Sequence, residues 1–108
     1  MSDEATIVRV CAAGDIPLME ARRFDVNGTP IAVFHLPAGF FAIGDTCSHE
    51  ESSLSEGFVE DDMVECPKHG AQFEILTGHN RSLPATRPVP SYRVVVEGED
   101  VYVEAPNA

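Results

Sequence analysis

Positive charge is scarce in this sequence. Its 108 residues include only 7 Lys and Arg against 18 Asp and Glu, which leaves a formal net charge of -11. Nucleic-acid-binding proteins show the opposite pattern, a basic patch or stripe, so the composition argues against that class. An anionic membrane surface would repel the chain for the same reason. We therefore expect partners that are neither nucleic acid nor membrane.

Long apolar segments are missing as well. No stretch approaches the roughly 18 consecutive apolar residues that a membrane-spanning helix needs. The start of the chain, Met1 to Glu4, is acidic and lacks the basic and apolar segments of a secretory signal, so we expect none. The length and the 44% hydrophobic content are those of a small globular protein. We expect a cytoplasmic monomer in which residues 1–108 form a single domain.

Cysteine is rare and odd in number. The three cysteines, Cys11, Cys47 and Cys66, have spacings that do not suit a disulfide-stabilised scaffold. Reduced thiols, some of them binding metal, are what a cytoplasmic protein is expected to carry. Cys11 ends a β-branched run, and we interpret it as a small core residue rather than a ligand.

Helical periodicity is almost absent, whereas short β-branched or alternating runs recur along the chain. Asn27-Gly28 is the strongest hairpin signal, and Gly98-Glu99-Asp100 predicts a second hairpin near the end. This pattern predicts an all-β fold of antiparallel sheets, arranged as a sandwich or barrel. The proline run Pro84, Pro88 and Pro90 predicts a stiff loop. Predicted strands are Ile7–Val10, Arg22–Val26, Ile31–Phe34, Phe40–Ile43, Phe58–Glu60, Met63–Glu65, Gln72–Ile75, Tyr92–Glu97 and Val101–Glu104.

Two cysteine–histidine pairs carry the chemistry of the sequence. They are Cys47-Ser48-His49 and Cys66-Pro67-Lys68-His69, separated by 16 residues, and each follows a predicted strand. Two thiolates and two imidazoles suit a tetrahedral zinc ion or an iron–sulfur centre. Because each loop offers one ligand of each kind, the arrangement favours two adjacent irons over a structural zinc site.

With these residues the sequence resembles the Rieske [2Fe–2S] family, and most closely the small ferredoxin components of bacterial aromatic-ring-hydroxylating dioxygenases. The resemblance implies one [2Fe–2S] cluster per chain, in a cluster-binding part of two ligand loops at about residues 44–84. It implies that Cys47 and Cys66 bind the buried iron, and that His49 and His69 bind the outer one. The match extends through Cys66-Pro67-Lys68-His69-Gly70-Ala71-Gln72-Phe73, Thr77-Gly78 and Pro84.

Departures from the respiratory branch of the family bear on the reduction potential. That branch has an extra cysteine in each ligand loop, forming a disulfide, where this sequence has Ser52 and Lys68. It also has a serine and a tyrosine that donate hydrogen bonds to the cluster sulfurs, where this sequence has Ala71 and Phe73. Such hydrogen bonds raise the potential, so we expect the low end of the Rieske range, about −150 mV.

The sequence therefore predicts an electron carrier rather than an enzyme, since it has neither a Gly-rich phosphate loop nor a Gly-x-Ser-x-Gly motif. The resemblance implies a flavin-dependent ferredoxin reductase and a terminal oxygenase as partners. Two alternatives stay open: a Rieske carrier for another partner, such as a monooxygenase or reductase, and a structural zinc module that mediates protein contacts. The acidic residues between Glu50 and Glu65 are either a solvated face or a docking surface. His35 and His79 are interpreted as surface or core histidines.

Overall fold

Strands dominate the computed structural model, which describes residues 6–46, 52–67, 70–81 and 87–105. Within these ranges the helical segments are two single-turn 3-10 helices, Ala13–Asp15 and Leu54–Glu56. No helix of this part of the chain is long and apolar enough to cross a membrane. The predicted all-β class is confirmed. The strands are β1 (Thr6–Ala12), β2 (Ala21–Val26), β3 (Thr29–Leu36), β4 (Gly39–Gly44), β5 (Phe58–Glu60), β6 (Met63–Glu65), β7 (Gln72–Glu74), β8 (Ser91–Tyr92), β9 (Val94–Glu97) and β10 (Asp100–Ala105).

The described strands form three antiparallel sheets. The outer sheet has the order β1-β10-β9, the central sheet β2-β3-β4-β8, and the short-strand sheet β5-β6-β7. The chain reaches the short-strand sheet from the end of β4 and returns to the central sheet at β8. In chain order, the residues of both predicted ligand loops fall between β4 and β8.

Local turn chemistry explains the hairpins. Asn27 and Gly28 both have positive φ, 53° and 82°, and Val26 pairs with Thr29 across them. Positive φ at both central residues is the geometry that a two-residue hairpin turn matched to the strand twist requires. The predicted final hairpin is also present, with Asp100 paired to Glu97.

The central sheet lies between two apolar cores because successive side chains of a strand point to opposite faces. On β3, Ile31 and Val33 contribute to the core shared with the outer sheet. Phe34 and Leu36 contribute to the core shared with the short-strand sheet. The run Ile31–Phe34 is buried throughout, as expected for a strand covered on both faces.

One predicted strand is divided in the structure. The sequence predicts a single strand over Tyr92–Glu97, whereas Ser91–Tyr92 pairs with β4 and Val94–Glu97 pairs with β10. Arg93 lies at the crossing between the two sheets, where its carbonyl accepts a hydrogen bond from the Glu104 amide at 2.8 Å. Arg93 is the charged residue that interrupts this run, and the pairing partner changes there.

Candidate metal centre

Cys66 is a buried cysteine at the start of the second predicted ligand loop. It follows β6 directly and is 1% exposed, within the apolar core beneath the short-strand sheet. Its backbone N–H donates to the Ala71 carbonyl at 2.7 Å, so the two ends of the loop lie side by side. The structure therefore confirms the predicted position of Cys66 on a loop at a strand end.

The other predicted ligands, Cys47, His49 and His69, lie outside the described residues. The two ends of the first loop are nevertheless described. Thr46 and Ser53 form an isolated antiparallel bridge, and the Leu54 amide donates to the Asp45 carbonyl at 2.7 Å. Leu54 and Cys66 belong to the same buried cluster, so both predicted ligand loops stand on one apolar core.

These surroundings fit an iron–sulfur cluster. Cys66 is 1% exposed among apolar side chains, so a bond from its sulfur to iron would be shielded from water. Ala71 and Phe73, which follow the second loop, are both fully buried and bring no hydroxyl to it. The chain supplies soft sulfur donors together with imidazoles, the set typical of a Rieske centre.

Sequence reasoning missed a buried carboxylate beside the first loop. Asp45 is 2% exposed, and its oxygens accept hydrogen bonds from the Ser53 hydroxyl and the Ser55 amide. The residues next to Asp45 in the sequence do not indicate its hydrogen bonds, because the donors lie eight and ten positions later. An acidic residue just before a candidate ligand is the one signal that was available.

The segment after β7 packs tightly against the chain that leads into β8. The Gly78 amide donates to the Glu74 carbonyl at 2.7 Å, and the Val89 amide donates to the Gly78 carbonyl at 2.9 Å. The Glu74 carboxylate accepts hydrogen bonds from Arg81 and from the Thr77 hydroxyl, which together lower the pKa of Glu74. The predicted Thr77-Gly78 motif is therefore where the short-strand sheet is joined to the proline loop.

Pro88 and Pro90 of that loop lie outside any strand, as expected, and Pro84 falls outside the described residues.

The remaining candidates have structural roles. Cys11 is buried in the other core, away from the ligand loops, and burial followed by the nearby Asp15 raises the pKa of its thiol. His35 stacks on Phe40 with ring centroids 4.1 Å apart, and its Nδ1 lies 2.8 Å from the Ile16 carbonyl oxygen. His79 is exposed.

The acidic stretch is mostly on the surface. Among its described members, Glu56, Glu60, Asp61 and Asp62 are exposed and Glu65 is half-buried. Glu50 and Glu51 lie outside the described residues. Phe58, two residues before Glu60 on β5, is 68% exposed, so the exposed part of this segment includes an apolar ring as well as carboxylates.

Comparison with known proteins identifies the family. Residues 6–93 match the family described as "Rieske [2Fe-2S] domain". The chain is 45% identical over 102 residues to the 3-phenylpropionate/cinnamic acid dioxygenase ferredoxin subunit of Escherichia coli (strain K12), covering 94% of this chain and 95% of that protein.

Solved structures give the same result. The ferredoxin of carbazole 1,9a-dioxygenase from Nocardioides aromaticivorans IC177 superposes with a TM-score of 0.89 at 33% identity, covering 94% of this chain and 99% of that chain. A chain in the complex of reduced oxygenase and oxidized ferredoxin in carbazole 1,9a-dioxygenase matches with a TM-score of 0.87 at 39% identity, covering 94% and 95%. The chain therefore belongs to the Rieske [2Fe–2S] domain family and binds a Rieske-type [2Fe–2S] cluster, which sets aside the zinc alternative.

Proposed function

We propose that this protein is the ferredoxin component of an aromatic-ring dioxygenase system. It receives single electrons from a flavin-dependent reductase and delivers them to the terminal oxygenase. The observation that carries the proposal is the likeness to dioxygenase ferredoxins over 94% of the chain. Relatives of this kind are named as ferredoxin subunits, which supports a carrier rather than a catalytic role.

The proposed ligands are Cys47, His49, Cys66 and His69. The burial of Cys66 and the closed ends of both loops support this set, because they bring the two loops to one apolar core. When bound, the cluster accepts and releases one electron at a time. Four protein ligands leave no coordination position for a substrate, so the chain's own contribution is to hold, shield and tune the group.

Packing around the second loop supports a low reduction potential. Ala71 and Phe73 are fully buried and lack hydroxyl groups, so neither side chain donates a hydrogen bond to a sulfur. Sulfur hydrogen bonds favour the reduced, more negative state, and their absence lowers the potential. A low potential suits a carrier that takes electrons from a flavin and passes them to an oxygenase.

The acidic face supports recognition by charge. Glu56, Glu60, Asp61 and Asp62 are exposed on the segment between the two ligand loops. A partner with a basic surface around its own redox centre would be attracted and oriented by this face. The proposal includes a cytoplasmic monomer whose residues 1–108 form one domain, with a cluster-binding part at about 44–84.

Electron delivery tests this function directly. The reduced protein is mixed anaerobically in a stopped-flow instrument with the oxidised oxygenase component of 3-phenylpropionate/cinnamic acid dioxygenase or of carbazole 1,9a-dioxygenase. We expect rapid reoxidation of the ferredoxin, and product formation that requires this chain together with a reductase. A Cys66→Ala variant is the control for transfer that bypasses the cluster. Transfer to a monooxygenase but to neither dioxygenase component would instead favour the alternative carrier.

A further inference from the structure

Asp45 is a buried acidic residue held almost entirely by hydrogen-bond donors of one segment. Its Oδ2 accepts from the Ser53 hydroxyl at 2.6 Å, and its Oδ1 accepts from the Ser55 amide at 2.9 Å. The two serine hydroxyl oxygens lie 2.7 Å apart, so the three residues form one connected network. A buried carboxylate is unfavourable unless its lone pairs are satisfied, and here both oxygens are.

The network spans the opening of the first ligand loop. Asp45 precedes the loop and Ser53 and Ser55 follow it, and these two sides are also joined by the Thr46–Ser53 bridge. On the near side, the Asp45 amide donates to the Pro30 carbonyl at 3.1 Å, which fixes Asp45 to the central sheet. The side chain therefore ties the far end of the loop to a strand that is buried on both faces.

A cation contributes little to holding this carboxylate. Arg23 Nε is 3.8 Å from Asp45 Oδ2, and the arginine side chain is 52% exposed. The same arginine pairs with Asp25 at 3.2 Å, on the solvent side. Asp25 and Asp45 thus share a cation, but only Asp45 reaches the residues that close the loop.

We propose that Asp45 is a positioning residue: with Ser53 and Ser55 it holds the two described ends of the first ligand loop together, and through these ends it constrains the proposed ligands Cys47 and His49. This inference rests on the proposed ligand set. It assigns the carboxylate a role in cluster retention and tuning that the four ligands alone do not account for.

Cluster retention in the loaded protein is the first test. The visible absorbance of the cluster is followed after addition of an iron chelator. We expect Asp45→Ala to release the cluster about tenfold faster, since both hydrogen bonds across the loop ends are lost. Ser53→Ala, which removes one donor, is expected to have a smaller effect. Ser55→Ala keeps the backbone donor and is expected to be close to wild type.

Asp25→Asn is the matched control. It removes a carboxylate from the same arginine without touching the loop, and we expect cluster release and reduction potential to stay unchanged. Asp45→Asn keeps the size of the side chain but turns one acceptor oxygen into an amide donor, so one of the two hydrogen bonds across the loop ends is lost, and we expect the rate of cluster release and the reduction potential to change. We also expect the visible circular dichroism of the cluster to change in the Asp45 variants.

These measurements separate positioning from ordinary stabilisation. Lower thermal stability in the Asp45 variants, with the potential, the circular dichroism and the release rate unchanged, would overturn the proposal. Equal effects from Asp25→Asn and Asp45→Asn would overturn it too. A failure of the ligand set is recognised differently: Cys66→Ala would then retain the cluster, whatever the Asp45 variants do.

Discussion

The two ends of the molecule are built by different means. The framework, made of the outer and central sheets, has long strands such as the eight-residue β3, and these bury side chains along their length. The short-strand region, residues 52–67 and 70–81, has strands of three residues each. Three residues bury little surface, so this region depends on contacts at individual points.

Those points are of three kinds. Fully buried side chains such as Leu54, Val64 and Phe73 join the short-strand sheet to the central sheet. The backbones of Gly78 and Val89 are in close contact. The hydrogen bonds of Asp45 link the two ends of the first loop. The cluster is expected to add to these contacts, because metal binding and folding of the ligand loops are coupled. We therefore expect the framework to tolerate local change better than the short-strand region.

Loss of a ligand should break the short-strand region most completely. Replacing Cys66 or His49 with alanine removes one of four proposed ligands, and we expect loss of the cluster together with much of the stability of this region. Iron and acid-labile sulfide analysis, with the visible spectrum, measures the first effect. Hydrogen exchange measures the second, which should be larger for β5–β7 than for β1–β4.

Cys11→Ala serves as the thiol control for this experiment. Cys11 is buried in the framework core, and burial raises the pKa of its thiol, so we expect it to be neither a ligand nor readily alkylated. We expect the spectrum of this variant to match the wild type. Full iron and sulfide in Cys66→Ala would contradict the ligand assignment.

Substitution of Gly78 tests how much a single close contact contributes to the free energy of unfolding. Its φ is 81°, and an added Cβ would overlap the Val89 carbonyl oxygen. Gly28 has nearly the same φ, 82°, but a Cβ there would contact nothing within 4 Å. Gly28→Ala should therefore cost about 1–2 kcal/mol of unfolding free energy for the left-handed backbone alone. Gly78→Ala should cost clearly more, and equal values in chemical denaturation would argue against the contact.

The same division governs what the sequence predicts. In the framework, turn residues such as Asn27-Gly28 act locally, so strand ends are predicted to within a few residues. The division of the predicted strand Tyr92–Glu97 at Arg93 is not predictable from the strand-forming residues around it. It depends on which sheet each half pairs with. The family motif indicates the position of Cys66, yet not the Asp45 network, whose donors come from a segment beyond the loop.

Electron transfer should be sensitive to charge on the short-strand region and insensitive to charge on the framework. Glu56 is exposed just after the first ligand loop, whereas Glu99 is exposed in the β9–β10 turn of the outer sheet. We expect Glu56→Lys to slow the second-order reaction with the oxygenase roughly threefold to tenfold at low salt, and Glu99→Lys to change it little.

Salt dependence of the wild-type rate checks the same explanation. Exposed charges are screened beyond about 8–10 Å at physiological ionic strength, so the stopped-flow rate should fall as salt rises. A hydrophobic docking patch is the rival explanation, and the exposed Phe58 is a candidate for it. Rates that stay flat with salt, together with a slow Phe58→Ala variant, would favour the rival.

The smallest expected effect concerns the reduction potential. Ala71→Ser and Phe73→Tyr each place a hydroxyl next to the second ligand loop, and we expect each to raise the potential if the hydroxyl donates to a sulfur. A net hydrogen-bond contribution of roughly 0.5–1.5 kcal/mol corresponds, at about 59 mV per 1.4 kcal/mol for one electron, to about 20–65 mV.

Ala42→Ser gives the matched control for this measurement. Ala42 is as buried as Ala71, at 2% against 0% exposure, but it belongs to the core between the central and outer sheets. The Ala42→Ser variant should have a lower free energy of unfolding, because it buries a hydroxyl, and its reduction potential should not change. Protein-film voltammetry that finds no upward shift in either Ala71→Ser or Phe73→Tyr would refute the explanation of the low potential. A shift of similar size in Ala42→Ser would show that the potential responds to buried polarity anywhere in the fold, rather than to donors at the ligand loop.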